Sequence, residues 1–146
     1  MKSNHFFSLI FCYFIFLSCS TDNDRSDVNF VRANINGIDL KFNIISVDTE
    51  DYTEYIDIIV SATMESDPSK KIIIASQFGI TGENEIWRCD YFTNNTFYRI
   101  QNPEAFLSNI TKNSDNQYNA TFSGNLINPE TDEIFVLTNG EMKIKY

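Results

Sequence analysis

The sequence is short of the residues that most often carry chemistry. Its 146 residues include one histidine, three cysteines, one tryptophan, three prolines and five glycines. The histidine is His5, which sits in an N-terminal leader, so the rest of the chain has none. Without imidazole there is no Ser-His or Cys-His nucleophile, no imidazole acid–base catalyst and no His-ligated zinc. Paired carboxylates of the glycosidase kind are the one catalytic chemistry left open, and nothing in the sequence selects a pair. No Gly-rich phosphate loop exists. The expectation is a protein that is not an enzyme and carries no cofactor. Positive charge is scarce too: once Lys2 leaves with the leader, ten basic side chains face twenty acidic ones, a net charge of −10. Such a surface repels phosphate backbones, so nucleic acid is not an expected partner. Acidity favours solubility and would suit a cationic partner.

What is present begins with an address. Lys2 supplies the positive charge, residues 6–17 are apolar apart from Ser8, and the small Ser18 precedes Cys19. A twelve-residue run is well short of the ~20 needed to span a bilayer as a helix, and this order of charge, apolar run and small residue describes an export signal. Leu17-Ser18-Cys19-Ser20 resembles the bacterial lipobox, although Phe16 stands where Leu is commoner; Cys12, preceded by bulky Phe11, fits poorly. The resemblance implies a signal peptide at 1–18 and acyl chains of the palmitate class on Cys19, with two or three chains giving stable attachment. Residues 19–28 then form a polar linker in which Asp22 and Asp24 resemble the acidic residues that favour surface display in lipoproteins of the Bacteroidota type. The expected location is the cell envelope, as an outer-membrane lipoprotein displayed at the surface, with the leaflet orientation left open. With Cys19 lipidated, Cys89 has no partner and the domain must hold by packing.

From residue 29 to 146 the pattern is alternation, the signature of half-buried strands. Val31, Ala33 and Ile35 alternate with polar residues, Asn36-Gly37 follows, and Ile38, Leu40 and Phe42 resume the alternation. Asn-Gly between such runs predicts a two-residue hairpin, because both residues tolerate positive φ. Pairing Ile35 with Ile38, Ala33 with Leu40 and Val31 with Phe42 puts every apolar side chain on one face. The same reasoning at Asn139-Gly140 pairs Leu137 with Met142 and Phe135 with Ile144. Ile56 to Met64 forms another apolar face and ends at Ser66–Ser69; Ile72–Ala75 reads as a central strand; Tyr118 to Leu126 alternates; Asn94-Asn95 turns a hairpin that sets Asp90 opposite Arg99 and Phe92 opposite Phe97. Asn102-Pro103-Glu104 reads as a brief helical turn with Asn as cap. The expected fold is all-β: one antiparallel β-sandwich or small up-and-down, calycin-like barrel of about nine short strands.

These pieces resemble a known group. Ala33-Asn34-Ile35-Asn36-Gly37, Thr121-Phe122-Ser123-Gly124-Asn125-Leu126 and Thr138–Tyr146 are similar to the early INGxxF-like hairpin and late FSGxL…TNGxF…Y strands of small Bacteroidota-type envelope lipoproteins, with Met142 where Phe is more usual. The family is functionally uncharacterised. The resemblance implies an envelope lipoprotein with a β domain and carries over no catalytic residue.

Candidate sites are few. Asp48, Glu50 and Asp51 lie in the densest acidic stretch, which reads as a solvated loop. An EF-hand starting at Asp48 would need an oxygen ligand, Gly and Glu where Tyr52, Thr53 and Ile59 stand, so no metal motif is present and an irregular calcium site is the remaining alternative. Trp87, Tyr91, Phe97 and Tyr98 belong to the richest aromatic stretch. Trp87, Cys89 and Tyr91 share one strand face, which reads either as core or as a sugar-stacking or protein-contact face. Cys89 reads as a buried, inert thiol. Sequons at Asn94, Asn109 and Asn119 are what an Asn-rich chain produces. The functional expectation is a lipid-anchored, non-catalytic binding or accessory module whose partner is a glycan or an envelope protein. The alternatives are an inhibitor or immunity-type lipoprotein against a basic toxin or enzyme, and a small-molecule carrier if the domain encloses a cavity.

Overall fold

A computed structural model of the chain describes residues 29–146. The expected signal at 1–18, the lipid site Cys19 and the linker up to residue 28 lie outside the described residues. Eleven strands run in chain order: β1 (Phe30–Ile35), β2 (Ile38–Phe42), β3 (Ile44–Asp51), β4 (Ile56–Met64), β5 (Asp67–Gln77), β6 (Gly82–Glu83), β7 (Ile86–Thr93), β8 (Thr96–Ile100), β9 (Leu107–Ser114), β10 (Gln117–Ile127) and β11 (Ile134–Lys145). All are antiparallel to their neighbours in one sheet of order β2-β1-β11-β10-β8-β7-β5-β4-β3, with β9 beside the first half of β10 and β6 beside β9. The fold is all-β and nearly closed. Its two path ends, β2 and β3, are successive halves of the segment 38–51, one paired to β1 and the other to β4. That bent segment brings the ends together and makes the sheet a barrel.

Alternation does what the sequence says it should. Val31, Ala33 and Ile35 are buried, and the hairpin turns at Asn36 (φ 51°) and Gly37 (φ 84°) in the expected register, Ile35 to Ile38, Ala33 to Leu40 and Val31 to Phe42. Asn94 and Asn95, also at positive φ, turn β7 into β8 with Asp90 opposite Arg99 and Phe92 opposite Phe97. The β4–β5 turn falls at Glu65-Ser66, slightly before the expected place, and leaves Pro68 near the start of β5. Asn102 caps a single 3₁₀ turn, its side chain accepting from the Glu104 amide. The interior is filled: Phe42, Ile58, Ile72, Ile74, Phe106 and Tyr118 are among the side chains fully enclosed there. Each such side chain contributes roughly 1.5–3 kcal/mol over its exposed state. Tyr118 reaches across the core to donate to Ser76 Oγ at 2.7 Å, which satisfies its buried hydroxyl.

The second Asn-Gly does not turn. β11 passes straight through Asn139-Gly140, so Leu137 and Met142 are not partners; Leu137 pairs with Gly124 and Ile35, and Met142 with Ala120 and Val31. The reason is that β10 and β1 take the hydrogen bonds on the two sides of β11, leaving it no use for a hairpin partner of its own. Between Leu137 and Gly140 it advances three residues while β10 advances two, from Gly124 to Phe122. The extra residue makes a β-bulge, with Asn139 at φ 52°. Gly140 packs so closely on Phe122 that a Cβ there would collide with that ring and with the Phe122 carbonyl oxygen.

Two glycines thus have different duties. Gly140→Ala is expected to cost about 2–3 kcal/mol, in the range for overpacking a well-filled site. Gly37→Ala, which meets open space and only an unfavourable φ, should cost about 1 kcal/mol. Urea unfolding midpoints of the two variants check the order; equal losses would contradict it.

Candidate functional site

The β7–β8 hairpin carries all four aromatic residues singled out in the sequence and divides them between two faces of the barrel wall. Tyr91 pairs with Tyr98 on the inner face, and Phe92 with Phe97 on the outer face. Trp87 departs from the expected alternation. Ala75 on β5 lies opposite Arg88, and the next residue, Ser76, lies opposite Ile86, so Trp87 is the extra residue of a bulge. Bulging moves it off the face of Cys89 and Tyr91, and Ile86 is the residue buried in its place. Trp87 is 48% exposed, whereas Tyr91 and Tyr98 are 2% and 4% exposed.

The outer group is the candidate site. Trp87, Arg88, Asp90, Phe92, Phe97 and Arg99 line an open cleft of about 480 Å³. The Phe92 and Phe97 rings stack with centroids 6.0 Å apart and planes 25° from parallel. Arg88 Nε donates to Asp90 Oδ2 at 2.7 Å, which fixes the guanidinium in the cleft wall, while Arg99, on the next strand, stays exposed. The surface therefore offers flat apolar rings edged by fixed hydrogen-bonding charges.

The inner pair belongs to the barrel mouth. Tyr98 stacks on Phe135 at 3.9 Å between centroids, and Tyr91 lies 6.0 Å from the same ring. Tyr98 Oη donates to Glu133 Oε2 at 2.8 Å; burial first, and then Glu133, push its hydroxyl pKa up. With Ile35, Ile38 and Lys70 these rings border a shallow opening of about 320 Å³. Cys89, fully buried on the inner face, has its thiol pushed up by desolvation and by the neighbouring Asp90, so it is not a nucleophile.

The acidic stretch is not a loop. Asp48, Glu50 and Asp51 are the last half of β3, an edge position in the sheet path whose backbone is paired to β4. Asp48 and Glu50 face outward, opposite Ile59 and Asp57, while Asp51 sits opposite Ile56 on the other face. The three do not converge, and among the described residues no group of three His, Cys, Asp or Glu side chains is placed to hold a metal.

Sequence reasoning missed an open cleft of about 950 Å³ that crosses β1, β11, β10 and β9 at the β11 bulge. Glu141 stands between Arg32, to which it is ion-paired, and Lys143 Nζ at 2.9 Å. Lys143 foremost, and Arg32 after it, hold the Glu141 carboxyl below the ordinary carboxylate range, the opposite of the raised carboxyl that a general acid requires. Arg32 meets Glu141 as its register partner beside the bulge, and a bulge has no signal in alternation.

No protein-family model, curated protein or solved structure matches the chain. What the domain does is therefore read from its geometry.

The buried thiol gives a direct check. In the folded protein Cys89 should remain unmodified by iodoacetamide at pH 8, and become modified once urea unfolds the barrel, as read by peptide mass spectrometry. Rapid labelling in the absence of urea would show that the wall opens at β7.

Proposed function

We propose that the chain is a cell-envelope lipoprotein anchored through Cys19, and that its β domain is a non-catalytic module that binds a glycan on the outer face of the β7–β8 hairpin. The observation that carries this reading is one cleft lined by the outward Trp87 and by the stacked Phe92–Phe97 pair, with Arg88, Asp90 and Arg99 along it. A sugar ring has an apolar C–H face and a rim of hydroxyls. Aromatic faces match the first, and charge-assisted hydrogen bonds match the second. The filled interior supports the same reading, since it favours a ligand surface on the outside of the wall.

Trp87 is the only tryptophan, so its fluorescence reports on the site without labelling. Titration with the polysaccharides of the envelope is expected to shift its emission to shorter wavelength, and Phe97→Ala should weaken binding about tenfold, the loss of a ~1.4 kcal/mol stacking contact. A flat titration and an empty glycan array, combined with capture of an envelope protein that Trp87→Ala abolishes, would replace the glycan with a protein partner. Anchoring is tested separately: Cys19→Ala should move the protein from the membrane to the soluble fraction, and unchanged membrane retention would remove the lipidation reading while leaving the binding face untouched.

A further inference from the structure

Asp57 is an anomaly. It is the second residue of β4, only 3% exposed, and its Oδ1 is buried without a hydrogen-bond partner. Among the described residues no ion pair forms at this carboxylate. Its neighbours make matters worse. In the β3–β4 ladder Asp57 stands directly opposite Glu50 on the outer face, and like charges in that relation repel. Tyr52 shares the neighbourhood, its hydroxyl within electrostatic reach of both Glu50 and Asp57. On the far side of Asp57, Gln77 of β5 stands opposite it, so Glu50, Asp57 and Gln77 form a row of oxygen-bearing side chains across three strands.

A desolvated carboxylate with no donor, facing a second carboxylate, is a costly arrangement unless something positive completes it. Among the described residues no donor reaches Oδ1. A hard cation is the species that removes both the desolvation and the repulsion, since one ion can bind oxygens from the two opposed side chains, whose Cβ atoms are held roughly 5 Å apart by the ladder.

We propose that Asp57 and Glu50 form a cation site of the calcium class, with the Tyr52 hydroxyl beside it and water completing the coordination. Calcium suits it better than magnesium, because two carboxylates on a sheet do not impose an octahedron, and calcium accepts irregular oxygen sets. Two protein carboxylates place the affinity in the range of about 10⁻⁴–10⁻³ M typical of extracellular modules. The chemistry is the same whether or not Cys19 carries lipid.

The test uses the full chain in detergent, treated with EDTA and then titrated with calcium chloride, against sodium chloride at matched ionic strength. Calcium is expected to raise the unfolding temperature and sodium chloride to have less effect. Asp57→Asn, which keeps the shape and removes the charge, should abolish the calcium-specific shift and be at least as stable as the parent in EDTA. Terbium gives a second readout: its emission, excited through Tyr52, should appear on binding, be displaced by calcium, and fall at least fivefold in Tyr52→Leu. If Asp57→Asn does not fold, the exposed Glu50→Gln should still weaken calcium binding at least tenfold. A shift that sodium chloride reproduces, or one that survives in both Asp57→Asn and Glu50→Gln, would overturn the proposal, as would a parent protein indifferent to 10 mM calcium.

Discussion

The barrel depends on a seam one residue wide. A single sheet that buries one face, with no disulfide among the described residues, must bring its two ends together, and here they meet where β2 becomes β3, at Asn43. The Asn43 amide donates to the Thr63 carbonyl at 3.2 Å, its side-chain nitrogen donates to Glu65 Oε2 at 2.7 Å, and its side-chain oxygen accepts from the Glu65 amide at 3.2 Å. One asparagine therefore ties the bend of the 38–51 segment to the far end of β4. Its side chain does the work of a missing ladder rung at the place where the strand must change neighbours. The enclosure of Phe42 and of the facing Ile58 and Val60 follows from that bend.

Much of the wall was legible because period-2 burial leaves a plain record. The Asn36-Gly37 and Asn94-Asn95 turns, the inward set Val31, Ala33, Ile35, Leu40 and Phe42, and the cap at Asn102 all follow from local chemistry that acts within a few residues. The failures have a common origin. Asn139-Gly140 has the composition of a hairpin turn, but whether it turns depends on whether other strands already satisfy its backbone, and those strands lie about a hundred residues away in β1 and directly upstream in β10. Strand β3 was read as an acidic loop because edge strands need no apolar face, and its charges discourage pairing with another copy.

The candidate site shows the same division. That the aromatic stretch mattered was visible in composition. Which rings faced out was not, since a single extra residue at Trp87 reverses the phase of everything before it. Both bulges fall beside open clefts, and each converts a regular strand into a place where side chains from different strands converge. Asp57 escaped notice for another reason: in sequence it is an ordinary acidic residue between apolar ones, and only its burial opposite Glu50 makes it unusual.

Strand direction gives the barrel a top and a bottom. β1 leaves Phe30 and climbs to Asn36, which rims the mouth together with Ile38 and Asn94. The opposite end is tied together by Asn113, whose amide donates to the carbonyls of Gln77 and Ile80, and by Phe78, whose amide reaches the Ile56 carbonyl next to the Tyr52–Tyr55 turn. β1 begins at Phe30 at that lower end, so the anchor proposed at Cys19 would join the barrel there. The Glu50–Asp57 pair and the stacked Tyr52 and Tyr55 rings lie at that same lower end, so the proposed cation site and the proposed point of attachment share one end of the barrel.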